Sequence, residues 1–487
     1  MKGDFSRDTF DPTRHFTRVL MQQGRVLLDS DWNEQAAILL HYLQTLAADL
    51  IGPYGGPEHD CGFAILDHDD LAALPGVPEQ LQSDNLSGNF VIGPGRYYVD
   101  GMLCENERPV TYAPANAPGL AQPDLVANVL TNGRYLVYLD VWERHVTAIE
   151  DDSIREVALG AHGPDTATRS KVLWQVKTLE VGGSFDGINC LEISHRDEWL
   201  NLVKEWQPEQ RGLLKAKADE PDDSYSINPC NLSPDARYRG AENQLYRVEI
   251  HRGGTPAEKP TFKWSRENGF VALPVRSISG QKVTLEHLGR DARLGVQVGD
   301  WVELTDENYV LRDNPGPMPL LQVTNVDTMD MIVTLSGAPP TVTTDSMGRT
   351  VPLRKPLLRR WDHKAGDTRI GGLELSDGAA LIKVATNDED NWLALEDGIQ
   401  IQFVAQETGR YRSGDYWLIP ARTATGDVEW PGEVGMPKPQ PPHGVLHHYA
   451  PLARIDVDAT GHVNVLDEDY RRAFARLAEC DSSDMKS

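Results

Sequence analysis

Apolar positions recur at three- and four-residue spacing over one stretch near the start of the chain and follow strand-like patterns over most of the remainder. Trp32, Ala36, Leu39, Leu40, Leu43, Leu46, Ala47 and Leu50 fall along one side of a helix with 3.6 residues per turn. Asp31, followed three residues later by Glu34, resembles a capping box at the start of that helix. Gly52 and Pro53 supply the stop. Upstream, residues 1–23 mix Phe5, Phe10, Phe16, Val19, Leu20 and Met21 with polar residues and contain Pro12, which predicts an extended arm and then a short helix near residues 15–22. Such an arm either folds back on its own domain or lies across a neighbour, and the pattern leaves both open. Phe5, Phe10, Phe16, Leu20 and Met21 on the arm and Trp32, Leu39, Leu43, Leu46 and Leu50 on the helix are therefore the candidate interaction residues.

From Cys61 onward the signal changes to short alternating or β-branched runs broken by Gly, Pro, Asn and Asp. Residues 134–141, 171–176, 244–251, 261–264, 301–304, 331–335 and 399–403 are among the predicted strands. Residues 98–103 read as a hairpin, because Asp100-Gly101 favours a type I′ turn. The fold class is mainly β (α+β): several small sandwich or barrel domains, an N-terminal helical segment and a short C-terminal helix beginning near Asp467. The predicted division is 1–55 arm and helix, 56–195 first β domain, 196–236 linker, 237–340 second β domain (small barrel or sandwich), 341–430 third β domain, and 431–487 proline-rich loop, strands and helix.

A length of 487 residues exceeds what one hydrophobic core sustains, in keeping with several domains. Seventy-three acidic residues against 47 basic ones give a net charge of −26, which repels phosphate backbones and anionic lipid, so nucleic acid is not an expected partner. No run of eighteen apolar residues implies a membrane span, and the first ten residues lack a signal-peptide core, so synthesis in the cytoplasm without a signal peptide is expected. Cys61, Cys104, Cys190, Cys230 and Cys480 are scattered, without metal-ligand spacing, and read as reduced thiols.

Candidate chemistry is sparse. His443, His447 and His448 lie within six residues and are weak metal candidates, although Pro441, Pro442 and Gly444 oppose the helix that would align them. Asp29, Asp31 and Glu34 are read as helix-capping carboxylates rather than an acid–base pair. Asp60, Asp67, Asp69 and Asp70, and Asp388, Glu389 and Asp390, mark acidic loops without calcium-loop spacing. No nucleophile elbow or phosphate-cradling glycine loop is found, so no cofactor and no catalytic residue is expected. Eleven tryptophans fit core packing, with a glycan-stacking surface as the alternative.

The strings Met1-Lys2-Gly3-Asp4-Phe5-Ser6-Arg7-Asp8-Thr9-Phe10, Val19 to Val26, and Asp31-Trp32-Asn33-Glu34-Gln35 resemble the start of a bacterial domain-of-unknown-function family. Leu139 to Arg144, Gly163 to Arg169, Phe262 to Asn268 and Gly414 to Arg422 extend the resemblance along the chain. The family is similar to components found beside contractile phage-tail-like injection systems. The resemblance implies a structural tail, cap or baseplate role, with other tail or baseplate proteins as partners, three or six copies in the particle, and location on or release with it. It carries over no catalytic residue. A glycan-binding or adhesion module is the alternative from another class, and a carboxylate-based glycosidase is the third.

Overall fold

The computed structural model describes residues 1–67, 86–114, 120–123, 127–160, 165–182, 185, 192–208, 211–219, 237–312, 315–344, 350–387, 391–406, 409–433 and 435–476. The chain is mainly β and builds three β bodies whose strands come from distant parts of the sequence.

In the first body, Gly133–Val146 pairs with Arg169–Glu180 and with His447–Val457, and Val463–Asp469 completes a four-stranded antiparallel sheet. Facing it are Tyr54–Pro57, Gly95–Val99, Met102–Asn106 and the short Ala473–Phe474, together with a small three-stranded sheet. Alternate residues of the facing sheets, among them Tyr97, Val99, Val137, Leu139, Leu452 and Ile455, close on one core. The other side of the long sheet is covered by a helix at Asp197–Trp206, whose Trp199 joins Tyr138 and Tyr470. The expected hairpin is present: Asp100 (φ 45°) and Gly101 (φ 79°) both take the left-handed conformation that a type I′ turn needs.

The second body is a sandwich. Gln244–Arg252, Thr261–Ser265 and Tyr416–Arg422 lie at the centre of a six-stranded sheet. Leu213–Ala218 and Ile399–Val404 form the facing sheet, and Tyr246, Ile250, Phe262, Phe403 and Trp417 fill the space between.

The third body is inserted between strands of the second. Ala272–Ser279, Lys282–Leu285, Ile332–Leu335, Leu320–Asp327, Trp301–Thr305 and Leu357–Trp361 pair in a closed ring around Leu273, Val283, Val302, Val323, Val333 and Leu358. Register shifts between Val275 and Ser277 and between Val323 and Asn325 supply bulges of the kind that bend a sheet toward closure.

Several expectations are corrected. The stretch read as a linker, 196–236, contains the helix Asp197–Trp206 and the strand Leu213–Ala218, which is held by Ile399–Val404; its polar residues suit a half-covered helix and an outer sheet face. The blocks 237–340 and 341–430 do not separate: 244–265 pairs with 416–422, while 357–361 closes the barrel. Local pattern identifies strands but carries no information on such long-range pairing. No helix starts at Asp467, because Val463–Asp469 pairs with the preceding strand; residues 477–487 lie outside the described ones. The short helix near 15–22 is replaced by a single 3-10 turn, Pro12–Arg14, followed by extended chain.

Candidate functional site

The N-terminal segment has two parts with opposite surroundings. Residues 1–10 run into the junction of the three β bodies. The Met1 amine donates to the Tyr416 hydroxyl (2.8 Å), Arg247 donates to the Met1 carbonyl (2.8 Å), and Asn268 donates to the Gly3 carbonyl (3.0 Å). Lys2 reaches Glu249 of the second body (3.1 Å) and lies over the Trp361 ring of the barrel, while Phe5 meets His145 of the first body edge-on. Beneath Lys2 is a buried ion network. Glu249 is 2.7 Å from Arg247 and 3.4 Å from Lys263, and Lys263 is 2.6 Å from Glu303, which also accepts from Trp361. Burial alone would push the Glu249 carboxyl up, but Lys2, Arg247 and Lys263 hold it well below the usual carboxylate range.

The rest of the segment faces out. A helix, α1, spans Asp29–Ile51, and the chain is almost wholly exposed from Asp11 to Leu28. Only Ser30 and Ile38 of α1 are buried. The side of α1 turned to the molecule carries small, polar and a few apolar residues: Ser30, Glu34, Ala37, Ile38, Gln44, Ala48 and Ile51. Gly101 of the hairpin sits under it so closely that a Cβ there would collide with the Gln44 carbonyl. The opposite side holds Trp32 (78% exposed), Leu43 (64%), Leu50 (64%), Leu39 and Leu46, with Leu40 and Tyr42 beside them. The helix is thus mounted with its leucine stripe toward solvent. Burying such a side chain is worth about 1.5–3 kcal/mol, so a stripe of five leaves on the order of 10 kcal/mol of burial unused.

Asp29, Asp31 and Glu34 do not make the expected capping box. The helix begins at Asp29 behind Leu28, which gives no side-chain cap. Asp29 accepts from the Ser6 amide (2.9 Å) and Glu34 from the Thr9 hydroxyl (2.6 Å), so these carboxylates tether the arm. Gln35 adds a bond from the Val19 amide, and Phe10 packs beside His41. Of the ten candidate interaction residues, Phe5 and Phe10 are therefore engaged within the molecule. Phe16, Leu20, Met21, Trp32, Leu39, Leu43, Leu46 and Leu50 are exposed.

The three candidate metal histidines are not brought together. His447 and His448 are neighbours in a strand and point to opposite faces, His447 to Asp140 (2.7 Å) and His448 to Asp100 (2.8 Å). His443 packs beside Tyr416, and burial lowers its pKa. Among the described residues no group of three His, Cys, Asp or Glu side chains is placed to hold a metal ion. Asp140 also binds Lys177 (2.6 Å); burial opposes its charge, but Lys177 and His447 keep its pKa below normal. This buried trio, and the network around Glu249, were not anticipated.

Eight of the acidic-loop and cysteine candidates, Asp69, Asp70, Asp388, Glu389, Asp390, Cys190, Cys230 and Cys480, lie outside the described residues. Asp60 pairs with Arg96 (2.8 Å), and Cys61 and Cys104 are free thiols. Trp142, Trp174, Trp199, Trp264, Trp361 and Trp417 are buried, whereas Trp32 stands out in the leucine stripe. An open cleft of about 300 Å³ between barrel and sandwich is lined by Arg266, Arg293, Arg360, Lys364, Asp300 and Asp362. Its arginines are largely engaged by carboxylates: Arg266 by Asp362 and Glu396, Arg360 by Asp362 and Glu267, Arg293 by Glu242. No described helix is long and apolar enough to cross a membrane.

A model of a family of unknown function, DUF6519, matches residues 1–191 and 208–468, so the chain belongs to that family. No curated protein and no solved structure matches.

Proposed function

We propose that this member of the DUF6519 family is a non-enzymatic structural subunit that docks through residues 11–51 into a larger particle. The observation that carries the reading is the orientation of α1, whose leucine stripe faces solvent while its smaller, more polar side rests on the body. A stripe of that size on a water-soluble surface marks an interaction site. The sequence resemblance to components found beside contractile phage-tail-like injection systems makes a tail, cap or baseplate position the specific form of the proposal. Residues 1–10 then act as an anchor that transmits the docking contact to all three β bodies. A glycan-binding surface is less well supported, because six tryptophans are buried and the highly exposed Trp32 stands among leucines.

The test uses purified injection particles from the native source. The wild-type chain should be present in particles by mass spectrometry, and a Leu39→Gln/Leu43→Gln/Leu46→Gln variant should be lost from them. Particles lacking the wild-type chain would overturn the proposal. Removing residues 1–53 would be a poor substitute, since it also strips Lys2 from Glu249 and opens the junction.

A further inference from the structure

The exposed stripe has a spacing more specific than amphipathicity. Trp32, Ala36, Leu39, Leu43, Leu46 and Leu50 follow one another at intervals of four, three, four, three and four residues. This 3.5-residue repeat is that of a left-handed coiled-coil seam, with Ala36, Leu43 and Leu50 at one core position and Trp32, Leu39 and Leu46 at the other. The positions flanking such a seam are Asn33, Leu40 and Ala47 on one side and Gln35, Tyr42 and Asp49 on the other. The side remote from the seam, which in a free coiled coil would be solvated, is the one resting on the body. The helix is therefore supported from behind and presents its full seam outward.

We infer that the occupant of this seam is α1 of another copy of the same chain, so that the protein self-associates through a short bundle of its own N-terminal helices. This deepens the docking proposal and rests on it. Charge is the first argument. The chain carries −26, and residues 11–51 hold five acids, Asp11, Asp29, Asp31, Glu34 and Asp49, against three arginines that all precede α1; within α1, however, Asp29 accepts from the Ser6 amide, Glu34 from the Thr9 hydroxyl, and Asp31 and Glu34 lie on the side remote from the seam. Asp49 is the single charge flanking the seam, so two acidic molecules meet there with few like charges at the contact itself. A strongly basic partner helix would find little to pair with there.

Area is the second argument. At 1.5 Å per residue α1 is about 35 Å long. Its seven large exposed apolar side chains, Trp32, Leu39, Leu40, Tyr42, Leu43, Leu46 and Leu50, each show roughly half to three-quarters of their surface. Together they offer on the order of 700 Å², close to the roughly 800 Å² per partner of a stable interface. The exposed Val26, Leu27 and Leu28 at the entry to α1 extend it.

The test is the solution mass of the purified full-length chain by light scattering or sedimentation, with no particle present. Wild type should show two or more copies, dissociating on dilution. Leu43→Glu with Leu46→Glu should give a monomer with an unchanged melting profile of the β bodies, since both side chains are already exposed. Leu39→Met, which keeps the seam apolar, should retain the oligomer. A wild-type chain that stays monomeric at high concentration would overturn the inference, as would an oligomer indifferent to the two glutamates. If the monomeric chain still enters particles in a stripe-dependent way, the occupant is a different protein: self-association fails and the docking reading stands. Loss from particles together with retained self-association would separate the two in the other direction.

Discussion

Residues 1–10 and residues 11–51 are consecutive in the chain and differ in almost every physical respect. The first stretch contains charged and polar residues, yet it lies at the meeting point of three β bodies, with Lys2 against Glu249 and Trp361 and the Gly3 carbonyl bound by Asn268. The second contains a regular apolar stripe at helical spacing, yet leaves Phe16, Leu20, Met21, Trp32, Leu43 and Leu50 in solvent. Hydropathy alone would predict the reverse. A polar segment is held against the body where its groups find partners, because each polar group it brings out of water, Lys2 and the Gly3 carbonyl among them, is met by an opposite charge or a hydrogen-bond donor. An apolar segment is left exposed where its partner lies outside the molecule. The pair teaches that burial within one chain reports internal complementarity, while an apolar pattern without internal burial reports a contact still to be made.

The comparison is broken most forcefully at its buried side. Lys263 is the cation nearest to Glu303, 2.6 Å away, with both side chains almost wholly buried. Lys263→Ala would leave Glu303, among the described residues, with the Trp361 indole as its hydrogen-bond donor and weaken the support of Glu249. Removing one partner of a buried ion pair costs about 3–5 kcal/mol, so the denaturant midpoint should fall steeply. A loss under about 1 kcal/mol would show that the network under Lys2 is not what secures the junction.

A smaller effect sharpens the other side. Gly101→Ala places a methyl group against the Gln44 carbonyl and forces alanine into a left-handed turn, at roughly 1–2 kcal/mol for the backbone alone. The helix should lift from the body, read as faster limited proteolysis between residues 29 and 51 with the β bodies intact. Unchanged cleavage would mean that the tethers from Asp29, Glu34 and Gln35 hold α1 without the hairpin.

The sequence made much of the local structure legible. The Asp100-Gly101 hairpin, the strand segments 134–141 and 171–176, which lie within the longer Gly133–Val146 and Arg169–Glu180, and a helix ending at Gly52 follow from turn chemistry and periodicity. What could not be read is which strands meet. Leu213–Ala218 finds Ile399–Val404 across almost two hundred residues, and nothing local to either segment specifies the other. The exposed apolar stripe was legible residue by residue; the fate of Phe5 and Phe10, half-buried beside His145 and His41, was left open by the pattern. The ionic junction was hidden for a subtler reason. Glu249 and Lys263 occupy the polar positions of alternating strands, which normally face water, and here the barrel and residues 1–5 cover that face. The runs Val248-Glu249-Ile250 and Phe262-Lys263-Trp264 hold the signal, but only knowledge of what lies over the sheet turns it into a prediction.

The least costly change addresses pH, where the two regions should again part. The stripe of α1 is built from groups that do not titrate, whereas Glu267, at the edge of the barrel–sandwich cleft, has its pKa pushed up to about 7 by burial and then by the nearby Asp362. The folded chain therefore holds a proton on Glu267 that the unfolded chain releases near pH 4.5. Its contribution to stability is complete below pH 4.5, declines as pH rises toward 7, and is gone above. The size is on the order of 1–3 kcal/mol, the lower end being favoured because Arg360 and Arg293 offset part of the burial cost. Glu267→Gln should lessen the fall in stability between pH 5 and pH 7 without abolishing it, since burial also pushes Asp415 up to about 7, and should leave self-association through α1 unaltered over that range. A wild-type chain whose stability rises with pH across this window would overturn the Glu267 assignment, and an oligomer that titrates with Glu267 would show that the body and the docking helix are coupled rather than independent.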